Sequence, residues 1–187
     1  MKPIITTLAL IMCLFSFSQN QKNFTFFKID GTVVKVENRK FKRDHVLLTH
    51  TNGDKEKLLY CDFYRYEYDV RKTGISKEYL HKVQEMVVLE DGKKYLLPLI
   101  VEGKCNLYDS GSSVPMTVST YNYYIKREGE KFAIKIGTTN LISKNFKSVA
   151  LDYFSDCDVM EEKIKKRFNK KRKRLKEIVS FYNDNCQ

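Results

Sequence analysis

What this chain of 187 residues lacks is a local catalytic signature. It has no GxSxG elbow, no HExxH and no Gly-rich phosphate loop, so acyl transfer, zinc proteolysis and nucleotide binding are not spelled out by adjacent residues. It also has no CxxC and no HxxxH. Its three histidines, His45, His50 and His81, sit on unrelated segments, which leaves zinc without a local ligand pair. Asp152, Asp156 and Asp158 do cluster, but at a helix start, where carboxylates favour the positive end of the helix. No internal repeat and no low-complexity tail is visible. Beyond the N-terminus no apolar run reaches the ~20 residues of a membrane span. Neither Pro nor Gly follows Gly137. The expectation is a protein without catalytic residues and without a cofactor.

The N-terminus is distinctive. Lys2 precedes an apolar stretch from Ile4 to Phe15, and Ser16–Phe17–Ser18 puts small residues where a leader is cut before Gln19. Cys13 does not read as a lipidation site, because Met12 before it is too large. The expected division is a signal peptide over 1–18, a β-rich region over 19–143 and a helical tail over 144–187, packed together as one unit. The expected destination is periplasmic or secreted.

Four cysteines lie beyond the leader: Cys61, Cys105, Cys157 and Cys186. An even number in an exported chain favours disulfides. Cys157 opens one helical segment and Cys186 follows the next, so their bond would close a helical hairpin at its open end. Cys61 and Cys105 are either a second pair or small core residues.

From Phe24 onward the pattern has period 2. Thr32, Val34 and Val36 alternate with Val33, Lys35 and Glu37. Asn52–Gly53, Asp91–Gly92 and Glu128–Gly129–Glu130 each read as a hairpin turn. Tyr60, Tyr64, Tyr66 and Tyr68 share one face of a strand by count. That row is either a packed sheet face or a platform on which Tyr60, Tyr64 and Tyr66 would hold a ligand such as a sugar. Pro98 places its strand at an edge or a bulge. Six to eight strands are expected, as a curved antiparallel sheet or a small β-barrel.

At Lys144 the period changes to that of a helix. Phe146, Val149, Ala150 and Tyr153 mark a first helix, Val159, Met160, Ile164 and Phe168 a second, and Leu175, Ile178, Val179 and Tyr182 a third. The predicted class is α+β with a three-helix C-terminal tail. Between the last two helices runs KIKKRFNKKRKRLK, Lys163–Lys176. It holds ten of the 34 Lys and Arg; with these and Lys2 set aside, 23 remain against 23 Asp and Glu. The net positive charge is therefore local. Lys165, Lys166, Arg167, Lys170, Lys171, Arg172, Lys173 and Arg174 are candidates for a polyanion: lipopolysaccharide, anionic lipid or extracellular DNA. Only Phe168 interleaves with them, which supplies base stacking poorly and weighs against nucleic acid. The plain reading is a solvated hairpin end.

Four short stretches occur together in a suggestive order: EGKCNLY (Glu102–Tyr108), YNYYIKREGE (Tyr121–Glu130), DYFSDC (Asp152–Cys157) and YNDNC (Tyr182–Cys186). In this they resemble a group of small exported proteins of Bacteroidetes, especially flavobacteria. The resemblance implies an exported α+β protein with a helical tail and carries no activity with it. The density of cations between the last two helices departs from the group's pattern. Three functional expectations result: a non-catalytic envelope protein acting by interaction, a polyanion binder using residues 163–176, or a small-ligand carrier if the strands close into a barrel.

Overall fold

The computed structural model describes residues 21–73, 76–110, 121–138, 146–167 and 172–186. Among them eleven strands precede three helices, an α+β arrangement. The strands are β1 (Gln21–Lys28), β2 (Val33–Val36), β3 (Asn38–Phe41), β4 (His45–Thr49), β5 (Lys55–Leu59), β6 (Phe63–Arg71), β7 (Tyr79–Val88), β8 (Lys94–Val101), β9 (Cys105–Asp109), β10 (Asn122–Arg127) and β11 (Ile134–Thr138). The helices are α1 (Phe146–Tyr153), α2 (Asp158–Arg167) and α3 (Arg172–Asn185). Every ladder between these strands with a described register is antiparallel. The chain forms two compact units, 1–82 and 83–187, and the boundary falls inside β7. The change of period at residue 144 marks a different boundary, between strands and helices. The proposed leader lies outside the described residues.

The first unit holds the order β6-β1-β2 and a three-stranded sheet β3-β4-β5. Asn52–Gly53 turns β4 into β5: Gly53 has φ +88°, which its missing Cβ allows, and the Asn52 Oδ1 accepts the Asp54 N–H at 3.0 Å. Phe24 and Phe26 of β1 point inward and are buried. Phe26 stacks on Tyr66 at 4.6 Å and meets Phe63 edge-on at 5.3 Å.

Here the expected tyrosine row breaks. Phe63 and Tyr66 are both buried, whereas Tyr64 is 49% exposed. The register of β1 against β6 jumps between Phe27 and Lys28, whose partners are Arg65 and Phe63. That bulge absorbs Tyr64 and shifts the alternation by one residue. Tyr60 precedes the strand, in the turn after β5. Tyr60, Tyr64 and Tyr66 therefore do not line one face.

The second unit has the strand order β11-β10-β9-β8-β7, a linear sheet without closure among the described residues. Pro98 is on β8, an interior strand, opposite Gln84 of β7. The edge placement is thus corrected. A bulge is present just beyond Pro98, between Leu99 and Val101 against β9.

One sheet face buries Cys105, Leu107, Tyr123, Ile125 and Ile136 against the helices. Leu175, Ile178, Val179 and Tyr182 supply the inner stripe of α3, with Met160 and Ile164 from α2 and Ala150 from α1. This is the spacing i, i+3, i+4, i+7 put to use. The Cys157–Cys186 disulfide, with Cα atoms 5.7 Å apart, closes the α2–α3 pair as expected. Of the two alternatives for Cys61 and Cys105, the second pair does not form: Cys105 is a free buried core residue, whereas Cys61 is a free exposed cysteine in a turn. No helix among the described residues is long and apolar enough to cross a membrane.

Candidate functional site

A polar cluster of the second unit lies where α1 and α3 meet the end of β10. It is built around Arg127, the last residue of β10. The β10–β11 turn brings Glu130 back, so that its Oε2 accepts the Arg127 N–H at 2.8 Å. The same oxygen accepts the Tyr153 hydroxyl at 2.7 Å. The Arg127 guanidinium donates to the Tyr153 carbonyl and, at 2.7 Å, to Asp156 Oδ1. Asp156 Oδ2 in turn accepts the Tyr182 hydroxyl at 2.6 Å. The guanidinium carbon lies 4.3 Å from the Tyr153 ring centre and 5.4 Å from that of Tyr182. One cation, two carboxylates and two phenols thus tie the sheet to α1, to the α1–α2 junction and to α3.

A second attachment lies beside it. Strand β8 stops at Val101, opposite Leu107. Cys105 of β9 still pairs with Arg127 of β10 but has no β8 residue on its other side. Asn183 of α3 takes that place. Its Oδ1 accepts the Cys105 N–H at 2.7 Å, and its Nδ2 donates to the Cys105 carbonyl at 2.9 Å. A side-chain amide here completes a β ladder, satisfying two backbone groups that burial would otherwise orphan. Gly103 makes room for it: a Cβ there would stand 2.6 Å from Asn183 Cγ.

The electrostatics suit fastening. Burial, and then the hydrogen bond to Asp156, push the Tyr182 phenol up to about 12. Burial and the Glu130 bond raise Tyr153 as well. Burial pushes the Cys105 thiol up to about 12, which leaves it neutral and a poor nucleophile at physiological pH. Both carboxylates are engaged by donors, and the phenols stay protonated to donate. The Nε of Arg127 is buried without an acceptor among the described residues, a local cost that the other bonds offset.

The residues of this cluster come from all four of the short stretches quoted from the sequence. Gly103 and Cys105 belong to EGKCNLY, Arg127 and Glu130 to YNYYIKREGE, Tyr153, Asp156 and Cys157 to DYFSDC, and Tyr182, Asn183 and Cys186 to YNDNC. Spacing rules did not single out Arg127, Glu130 or Asn183, and Asp156 read only as a carboxylate at the positive end of a helix. The available signal was their joint presence in those stretches.

The residues expected as sites are scattered. Tyr66 is buried, its oxygen accepting from Arg39 Nε at 2.6 Å, and burial pushes its phenol up to about 12. Tyr60 donates to the Lys42 carbonyl at 2.8 Å. Tyr64 stands on the exposed face, its ring centre 6.3 Å from that of Phe27. In the basic stretch, Lys165 pairs with Glu161 four residues before it, and Lys163 sits 3.4 Å from the centre of the Phe181 ring. Lys170 and Lys171 lie outside the described residues, as do the side chains of Lys166, Arg167, Arg172, Lys173 and Arg174.

The histidines stay apart. His45 meets Asp44, His50 meets Glu56, and His81 meets Glu67 and Asp69. Among the described residues no three His, Cys, Asp or Glu come together as metal ligands. In comparisons with known proteins, no family model, no curated protein and no solved structure matches this chain.

Proposed function

We propose that this chain is an exported protein of the cell envelope that acts by interaction and performs no catalysis. The observation that carries the proposal is the use to which the polar cluster is put. Arg127, Glu130, Asp156 and Asn183 are engaged with Tyr153, Tyr182 and the Cys105 backbone. The groups that a catalytic site would hold ready for substrate are here occupied in joining helices to sheet. The disulfide supports an oxidising compartment.

Two measurements test it. Residues 1–22 fused to a reporter without its own leader should direct its export, with cleavage after Ser18; a reporter retained in the cytoplasm refutes the compartment. A panel of ester, phosphoester, glycoside and peptide substrates should give no turnover. Turnover abolished by a point substitution refutes the non-catalytic part.

The concentration of charge in Lys163–Lys176 favours a second reading, polyanion binding. The test compares binding to anionic vesicles, lipopolysaccharide and DNA across a salt series with a variant in which Lys170, Lys171, Arg172, Lys173 and Arg174 are all Gln. Salt-sensitive binding lost in the variant supports the reading. Equal, negligible binding by both proteins removes it.

A further inference from the structure

The sheet face of the second unit opposite the helices carries its own small apolar cluster. Val87, Leu97, Tyr108 and Ala133 are buried there, with Leu89 and Tyr124 packed against them. Above this floor lies an open groove of about 590 Å³, within the range of roughly 300–1,000 Å³ typical of small-molecule sites. Tyr95 stands at it 40% exposed, its hydroxyl 3.4 Å from Asp91. Tyr124 is half-buried in the same groove.

The polar groups here contrast with those of the Arg127 cluster. Glu90, the Asn122 side chain, the Tyr124 hydroxyl and Lys135 line the groove and make no hydrogen bond or ion pair with described residues. Donors and acceptors are thus both available, beside two aromatic rings and over an apolar floor.

We propose that this groove binds a short, uncharged oligosaccharide. The proposal rests on the interaction reading above and names the class of partner. A sugar ring has an apolar C–H face that can lie on Tyr95 and a rim of hydroxyls that both donate and accept. Glu90 accepts from such hydroxyls, Lys135 donates to them, and the Asn122 amide does both. An anionic ligand gains no net attraction, because Glu90 offsets Lys135 and Asp91 is paired with Lys93 at 3.8 Å. An added peptide strand has no place to pair along β8 or β10, since each is already bonded on both sides. A lipid tail would need an enclosed apolar cavity, and this groove is open and half polar.

The experiment is calorimetric titration of the full chain, disulfide intact, with chitotriose, cellotriose, maltotriose and trigalacturonate. At least one uncharged trisaccharide should bind, and trigalacturonate should bind about tenfold more weakly or not at all. Tyr95→Ala should weaken binding by about tenfold, while Tyr95→Phe, which keeps the ring, should stay within about threefold. Glu90→Gln, on an exposed turn, is the second variant and should also weaken binding. Thermal melts confirm that each variant is folded. No binding by any of the three uncharged sugars overturns the proposal and leaves the interaction reading standing. Unchanged binding by Tyr95→Ala also overturns it, because the sugar is then held elsewhere. Mass spectrometry of the mixtures separates the two ideas: bound sugar returned intact supports both, and shortened sugar keeps the groove but ends the non-catalytic reading.

Discussion

Replacing Asn183 by Ala removes a side chain that stands in for a β strand. The Cys105 N–H and C=O, bonded at 2.7 and 2.9 Å, would both lose their partner. The Cys105 side chain is fully buried, so these groups regain water only in part. Two neutral hydrogen bonds at about 1 kcal/mol each, plus part of the penalty for orphaned groups, give a loss of about 2–3 kcal/mol. For a chain of this size that corresponds to a fall in Tm of about 4–10 °C.

Asn185, two residues further along α3, is the internal control. It is exposed and, among the described residues, its amide donates only to the Phe181 carbonyl of its own helix. Asn185→Ala should cost less than about 0.5 kcal/mol. Urea unfolding of the two variants measures both, and amide hydrogen exchange should lose protection at Cys105 in Asn183→Ala alone. Asn183→Asp keeps the shape and the acceptor but turns a lone pair toward the Cys105 carbonyl, so it should rescue nothing. Equal stability of Asn183→Ala and wild type, or equal losses at 183 and 185, would refute the ladder role.

Gly103→Ala should destabilise by a similar amount, because its Cβ would displace the same amide. In a double-mutant cycle with Asn183→Ala the two losses should fall well short of additive. Changing Cys157 and Cys186 both to Ser should cost about 3.5 kcal/mol in the chain-entropy model for a sequence separation of 29, read as a lowered urea midpoint; an unchanged midpoint under reducing and oxidising conditions would deny the bond. Stability should also fall in alkali. The Cys105 thiol rises from 9.0, and the Tyr66 and Tyr182 phenols from 10.0, each to about 12 on folding. Below about pH 9 folded and unfolded chains hold these protons alike. Above it the unfolded chain releases them first, so stability is lost progressively up to about pH 12. Urea midpoints at a series of pH values check this, and Tyr182→Phe should flatten the upper part of the fall.

Much of the architecture was legible because local physics and global fold agree. The α3 stripe of Leu175, Ile178, Val179 and Tyr182 has one apolar face and buries that face. Asn52–Gly53 can adopt a tight hairpin turn and does. Cys157 and Cys186 flank two helices that pack as an antiparallel pair, so their meeting follows from counting residues. The tyrosine row failed because period 2 assumes an unbroken ladder, and one bulge opposite Phe27 and Lys28 moves Tyr64 to the other face. Eleven strands exceeded the expected six to eight because short strands such as Asn38–Phe41 carry too few residues to announce a period.

By itself, then, the amino-acid order determined the class of fold, the hairpin turns at Asn52–Gly53 and Asp91–Gly92, the three helices and the disulfide that closes the last two. Each depends on interactions among near neighbours or on a periodicity within one element. Tertiary structure alone decided that Asn183 completes the ladder at Cys105 across 78 residues of chain, and that Arg127 meets Asp156 across 29. It also decided that Tyr95 and Tyr124 line one groove. These pairings arise from the register of separate strands and the docking of α3 on β8 and β9. Nothing in local propensity encodes either; they are set by which packing buries the apolar faces and leaves the fewest backbone groups unpaired.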